Sequence, residues 1–412
     1  MRETIALIRR TPGTALLLFG NFAMTFGANL VTPYLAVYLI TQGHFSPWAV
    51  GAALTTRLWA QQGLMIVGGR LADRFGAVPT MCTGLLVRVV SCLMLAWLVQ
   101  PVWVIIACGL LGLGSALYIP SSKATLAVLV GPGAARTSIF AMRSAANNAG
   151  AALGPLAGGL LLVFNARTGF MTAAALFLAL VPGLWRLRHR LRATLPVKTA
   201  KAATPSDARE GIRHLLRNNP RLIWVLCTAI AFGFCYVQIE YALPLTAAAV
   251  QSAAFVGVLF SVNAICVVVL QFVVTGPLAR FDGSVTVIAL GLAAMAAGFG
   301  LMAHGSIAGL ILGVIMFSLG EVIIDPRLDG EIAAIVGPTA RATVFGLVGV
   351  CIALGGAVAN GLASSPIGPV AGGSRYWLIL AATGAALALL VRVTAPARPQ
   401  PVAPAKSASI SV

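Results

Sequence analysis

The sequence predicts an all-α membrane protein whose twelve transmembrane helices form two six-helix bundles. Composition is the first reason. Of 412 residues, 59% are hydrophobic and only 9% charged, where a soluble domain carries roughly 25% charged residues. The mean hydropathy is +0.94. Patterning is the second: apolar stretches of ~20 residues recur from end to end, each long enough to span ~30 Å of hydrocarbon as a helix. The third is an internal repeat. Val130-Gly-Pro-Gly-Ala-Ala-Arg-Thr-Ser-Ile-Phe140 aligns, with one residue of slippage, on Val336-Gly-Pro-Thr-Ala-Arg-Ala-Thr-Val-Phe345. At the same offset of about 206 residues Pro120 falls on Pro326, and the string Gly69 to Phe75 falls on Gly276 to Phe281. The chain therefore reads as two parallel copies of one unit, with a path for substrate between them.

The spans fall at 13–40, 48–69, 78–98, 102–127, 137–163 and 168–187 in the first half. Those of the second half are 221–248, 253–276, 284–303, 306–334, 341–364 and 374–393. This divides the chain into an N-terminal bundle (1–187), a basic linker (188–220), a C-terminal bundle (221–393) and a Pro-, Ala- and Ser-rich tail (394–412) that is expected to be disordered. The run Ala49 to Val67 leads into Gly68-Gly-Arg-Leu-Ala-Asp-Arg-Phe-Gly76, which reads as a tight loop at the bilayer surface. Gly69 there suits close helix approach and Gly76 an unusual backbone conformation.

Charge sets the orientation. The formal net charge is +18, which in a soluble protein would suggest nucleic acid but here follows the positive-inside rule. Arg2, Arg9, Arg10, Arg70, Arg74, Lys123, Arg136, Arg280, Arg341, Arg392 and the basic run from Arg186 to Arg221 share one side; the opposite loops hold Arg167 and Arg375. Both termini and the linker are thus expected in the cytoplasm, with the chain multi-pass in the cell (inner) membrane and the first helix retained rather than cleaved. In the linker, Ile212, Leu215 and Leu216 recur at helical spacing among Arg209, Arg213 and Arg217. This is the pattern of a short amphipathic helix on an anionic leaflet.

Seven cysteines lie in apolar runs without a CxxC pair, and four histidines form no cluster, so neither a disulfide framework nor a metal site is expected. No P-loop is present, and nothing points to an enzyme or to a bound cofactor. The proton gradient is the expected energy source. The expected partners are a small-molecule substrate, protons and the lipid bilayer, with no nucleic acid, and the chain is expected to act as a monomer.

The order G-x-L-A-D-R-x-G, met at Gly69, Leu71, Ala72, Asp73, Arg74 and Gly76, resembles the signature loop of the major facilitator superfamily of secondary transporters. The resemblance implies the major facilitator fold, two six-helix bundles related by a pseudo-two-fold axis. It also implies that Asp73 and Arg74 clasp the cytoplasmic start of the eleventh helix, near Arg341 to Phe345, where a helix N-terminus favours an acidic group. Ala77 and Val78 stand where the family usually has basic residues. In the fifth helix, Gly150, Gly154, Pro155, Gly158 and Gly159 let two helices touch along their backbones. The string G-x-x-x-G-P-x-x-G-G they form is similar to the antiporter motif of the superfamily's drug:proton exporters, although Ala141 replaces one expected glycine and the fourth helix has Gly112-Leu-Gly-Ser-Ala116 in place of R-x-x-Q-G. Thr56-Arg57-x-x-x-Gln61-Gln62-Gly63, Gly84-Leu-Leu-Val-Arg88 and Arg209-Glu-Gly211 extend the likeness toward the MdtH-type group of multidrug exporters.

Intramembrane charge is the sharpest functional signal, because each such group is costly unless solvated or paired. Arg57, Arg88 and Arg143 lie in the first half; Glu240, Glu321 and Asp325 lie in the second. Glu321, Asp325 and Asp329 share one helical face at i, i+4, i+8. A carboxylate in a low-dielectric cavity that changes sides can take up and release a proton. Glu240, Glu321, Asp325 and Arg57 are therefore candidates for proton coupling, with Arg88 and Arg143 as charge partners across the halves. The bland alternatives are structural pairs, Glu240 with Arg57 and Asp325 with Arg327, and surface roles for Asp329 and Glu331. Asn21, Asn29, Phe26, Tyr34, Tyr118, Gln238 and Tyr241, with Phe22, Phe232 and Phe234, are the candidates for lining a wide, mostly apolar cavity. The leading expectation is a proton-coupled exporter of small amphipathic or lipophilic compounds working by alternating access. A dedicated exporter or symporter for one metabolite, and a non-transporting sensor or scaffold, remain as alternatives.

Overall fold

The computed structural model describes residues 13–41, 43–98, 100–130, 134–192, 217, 219–279, 285–335, 341–369 and 373–396. Most of the predicted linker helix, the tail beyond Pro396 and the first arginines lie outside these residues, as do the side chains of Asp73 and Asp329. The first half contains α1 (Thr14–Thr41), α2 (Pro47–Gly63), α3 (Met65–Phe75), α4 (Ala77–Trp97), α5 (Pro101–Val130), α6 (Ala134–Phe164) and α7 (Ala166–Arg192). The second contains α8 (Pro220–Tyr236), α9 (Ala242–Val250), α10 (Ala253–Ala279), α11 (Val285–Met302), α12 (Ile307–Ile335), α13 (Arg341–Ala363) and α14 (Ser374–Val393). No strand occurs among the described residues.

Among the described residues, ten helical stretches are long and apolar enough to cross a membrane. The remaining two expected spans are α6, whose hydropathy is lowered by Arg143, Asn147, Asn148 and its glycines, and the α2–α3 unit, which breaks at Leu64. Ser46 starts α2 by accepting a hydrogen bond from the Ala49 amide, with Pro47 at the first helical position, where its missing N–H costs nothing.

Packing repeats pair for pair. Within the first half α1 packs on α6, α2 and α4 on α5, and α4 on α7; within the second α8 packs on α13, α10 and α11 on α12, and α11 on α14. Between halves α10 meets α6 and α2 meets α13, again as related pairs. Glycines allow the close approaches. A Cβ on Gly150, Gly154 or Gly158 would collide with the backbone of α1 at Phe22, Phe26 or Leu30, so the stripe read from sequence holds α6 against α1 within one half. Gly257 on α10 likewise leaves room for the Pro155 carbonyl across the seam.

The signature stretch differs from the predicted loop. Gly69, Asp73 and Arg74 lie on helix α3, and the whole turn is one residue, Gly76, at φ 96° and ψ 145°. That conformation belongs to glycine, which explains why so short a link can join α3 to α4. Close helix approach falls on Gly68, where a Cβ would meet the Ala116 carbonyl; Gly69 has open space around it.

One buried pair knits the end of the second bundle. The Arg221 Nε donates to Glu331 Oε2 at 2.8 Å and its Nη2 to Glu331 Oε1 at 3.0 Å, with both side chains 3% exposed. Its Nη1 donates to the Pro396 carbonyl at 3.0 Å, and neighbouring Trp224 donates to the Val391 carbonyl at 2.8 Å. Glu331 is therefore not a surface charge, as its position near a helix end suggested. Glu331→Leu leaves a buried guanidinium without its carboxylate and should cost ~3–5 kcal/mol, whereas the Arg221→Met/Glu331→Leu double variant should recover most of the loss. Thermal unfolding of the purified protein in detergent distinguishes the two.

Candidate functional site

The seventh span is discontinuous, and its break creates the site. Pro244 is the third residue of α9 and has no N–H to offer the Glu240 carbonyl four residues earlier, while its ring crowds that carbonyl. The chain answers with a 3-10 turn, Val237–Ile239, closed by the Glu240 amide donating to the Val237 carbonyl at 3.0 Å. Glu240 thus sits between two half-helices rather than inside a regular one. Across the seam, the guanidinium Nη2 of Arg57 on α2 pairs with Glu240 Oε2. The two side chains are 7% and 23% exposed, and this pair joins one bundle to the other.

The same cavity, about 240 Å³, collects the other acidic candidates. Arg57, Gln61 and Gln62 line it from α2, Phe232 and Tyr236 from α8, and Glu321 and Asp325 from α12. Glu321 Oε2 accepts from the amide of Asn263 on α10 at 3.1 Å, and the same amide donates to Ser318 at 2.9 Å. No described basic group forms an ion pair with Glu321 or Asp325; the field of Lys123, on α5 of the opposite half, reaches Asp325. Two carboxylates one helical turn apart repel each other, and a single proton between them relieves that repulsion. The chamber is smaller than the ~300–1,000 Å³ of a drug-sized site. In this conformation it holds charges rather than a bulky compound.

The other candidates lie elsewhere. Arg88 does not cross the seam: it is buried, donates to Ser115 and lies 4.6 Å from the ring centre of Phe177. Arg143 donates to Asn21 Oδ1 at 3.2 Å within its own half. Of the three arginines expected to pair across the halves, Arg57 is the one that does so. None of the seven predicted cavity residues lines the charged chamber. Asn21 bonds Ser122, Asn29 bonds the Thr25 carbonyl, and Phe26 stacks on Phe22. Tyr34 donates to the Pro155 carbonyl, Tyr118 is buried beside Gly20, and Gln238 accepts from Tyr376 at 2.5 Å. Polar groups in membrane helices find each other first, because an unmet one has no water to fall back on. Gln61, Tyr236 and Asn263 went unread as site residues, although Gln61 and Tyr236 stand one turn from Arg57 and Glu240.

The bundles are tied on the side of the 43–46 turn. Tyr241 donates to the Pro47 carbonyl at 2.7 Å, Asn360 to Thr55 at 3.0 Å, and Ser261 to the Ala152 carbonyl at 2.7 Å. Tyr241 thus makes a contact across the seam. Toward the other side α6 and α10 diverge around a gap of about 490 Å³ between Asn148 and Val268.

Comparison with known proteins agrees with this architecture. The chain is 29% identical over 363 residues to the multidrug resistance protein MdtH of Yersinia pestis (strain Pestoides F), covering 85% of each chain. It has the same identity and coverage against MdtH of Yersinia pseudotuberculosis serotype O:1b (strain IP 31758). Among solved structures, the nucleoside transporter NupG superposes with a TM-score of 0.76 at 16% identity, covering 93% of this chain and 99% of that one. Tetrameric PepTSo2 gives 0.74 at 18% identity, covering 94% and 98%. At such identities these two speak for the fold alone. The sequence model of the Major Facilitator Superfamily matches residues 17–251, more than half of the chain, and the protein belongs to that superfamily of transporters.

Proposed function

We propose that the protein is a proton-coupled exporter of small amphipathic or lipophilic compounds, of the multidrug efflux type, in the cell (inner) membrane. The efflux reading rests on the likeness to the MdtH proteins. The coupling reading rests on one observation: a single chamber brings Arg57 of one bundle together with Glu240, Glu321 and Asp325 of the other. Both termini are assigned to the cytoplasm by the positive-inside rule. The tied side then faces outward and the α6–α10 gap inward.

In this mechanism the Arg57–Glu240 pair holds the halves in register while Glu321 exchanges a proton with the inner side. Protonation removes the repulsion between Glu321 and Asp325. It also changes the net charge facing Arg57, and with it the balance between the two rocking states. A carrier that binds proton and substrate alternately with these carboxylates is driven outward by the gradient. Asp73, by its place in the signature stretch, steadies one of the two states and has no part in substrate contact.

Sealed proteoliposomes holding a pH-sensitive dye test this with lipophilic cations, neutral antibiotics and sugars added in turn. Chemically diverse compounds should each move protons, whereas a response to one compound alone would indicate a dedicated carrier. Glu240→Gln and Glu321→Gln should each reduce substrate-dependent proton flux at least ~10-fold while the protein still inserts; normal proton-driven transport in both would overturn the coupling assignment. Asp73→Asn should instead slow turnover severalfold and leave the substrate concentration for half-maximal transport nearly unchanged, as read from initial rates.

A further inference from the structure

Among the described residues a single hydroxyl lines the charged chamber, that of Tyr236 on α8. Tyr34, Tyr38, Tyr241 and Tyr376 each donate to an acceptor on a neighbouring element. The Tyr236 hydroxyl donates to nothing among the described residues. Its ring is held in place, with centres 5.5 Å from Phe232 on the same helix and 6.2 Å from Phe317 on α12. These contacts set it between two carboxylates, since Glu240 follows Tyr236 by four residues and Glu321 follows Phe317 by four. The charges that reach it come from both bundles: Arg57 on α2, Glu240 on the seventh span, and Glu321 and Asp325 on α12. From α13 the chamber wall receives the apolar Ile352.

Glu240 and Glu321 each keep one oxygen for a further donor. Arg57 takes Oε2 of Glu240, and Asn263 takes Oε2 of Glu321 at 3.1 Å; no described group bonds either Oε1. Asp325, the third carboxylate, has the field of Lys123 to balance it. A chamber of about 240 Å³ is only roughly two hydrogen bonds across, so a hydroxyl on its wall reaches either carboxylate directly or through one water. A phenol carries one hydrogen and serves one of them at a time. An ionised carboxylate holds such a donor more strongly than a neutral carboxyl does.

We propose that Tyr236 couples the proton site to the seam: its hydroxyl donates to Glu321 while that carboxylate is ionised, and to Glu240 once Glu321 has taken up a proton. The neutral carboxyl then carries its own O–H and releases the phenol, which joins Arg57 on the Glu240 carboxylate. A guanidinium that shares its acceptor is held less tightly, so the tie between the bundles loosens when the proton arrives. The one bond formed is the O–H on Glu321, and the phenol keeps its own hydrogen throughout. Tyr236 is thus a positioning residue that acts through two carboxylates. This role rests on the reading of Glu321 as the group that exchanges the proton, and it adds the link from that group to the Arg57–Glu240 pair.

Nitroxide labels at Ser144→Cys on α6 and Val269→Cys on α10, which line the inward gap from its two sides, report the seam. The full chain is placed in nanodiscs with Cys227 and Cys266, the two cysteines that are not buried, replaced by serine. Double electron–electron resonance gives the distance distribution in mildly alkaline and mildly acidic buffer, without substrate or gradient. The two distributions should differ. Tyr236→Phe keeps the ring and its contacts and should shrink that difference at least ~5-fold; a purely structural role would move both distributions alike and leave the difference. Glu321→Gln should show the acidic distribution in both buffers. Adding Tyr236→Phe to it should return the alkaline one, because nothing then contests Arg57 at Glu240. A Tyr236→Phe response equal to that of the unsubstituted chain would overturn the coupling role, as would a double variant indistinguishable from Glu321→Gln. A distribution that ignores pH in the unsubstituted chain, or follows it in Glu321→Gln, would overturn the proton site itself and the role with it.

Discussion

The ion pair between Arg57 and Glu240 is the constraint around which the rest of the molecule is arranged. Either charge alone within a membrane span is expensive, and removing one partner of such a buried pair costs ~3–5 kcal/mol. The pair can form only where α2 of one bundle faces the seventh span of the other. It forms there only because that span abandons regular helix at Val237–Ile239. The α2–α13 and α6–α10 seams meet that requirement from either side, and the acidic face of α12 opens into the resulting chamber.

Contacts within a bundle and contacts between bundles have different characters. Inside the first bundle, Gly150, Gly154 and Gly158 bring α6 onto α1 at backbone distance, and Arg88 is enclosed by Ser115 and Phe177. Inside the second, Arg221 grips Glu331 with two hydrogen bonds. Such contacts tolerate little sliding. The seam carries the Arg57–Glu240 pair and close approaches at Gly257 and Gly51, together with single hydrogen bonds, Tyr241 to Pro47 and Ser261 to Ala152, each worth ~1 kcal/mol net.

Much of this was legible in the sequence. Apolar runs and the repeat from Val130 and Val336 announce the paired bundles, because helix length and hydropathy are nearly all that a bilayer demands. Arg57, Glu240, Glu321 and Asp325 stood out because charge is rare in such spans, and the structure places all four on one chamber. Distances were not legible. Nothing in the string distinguishes Arg57, which reaches across, from Arg88, which turns inward. Asn21, Tyr34 and Gln238 lie away from that chamber and bond to neighbouring helices: a polar residue on a membrane helix advertises a hydrogen bond without saying whether its partner is substrate or a neighbouring helix. The break at Leu64 went unread inside the span 48–69, and the one-residue turn at Gly76 was read as a loop from Gly68, since a span interrupted by a single residue keeps its apolar pattern.

The interruption of the seventh span has a mechanical consequence. Below the break, α8 is fastened to its own bundle through Arg221 and Trp224. Just beyond it, Tyr241 reaches over to the opposite bundle at Pro47. One polypeptide segment is thus clamped at its two ends to different bodies, with Glu240 at the joint. Relative rotation of those bodies would either break that one hydrogen bond or twist the few dihedral angles around the joint. The charge that pairs with Arg57 thus lies at the joint between the two attachments.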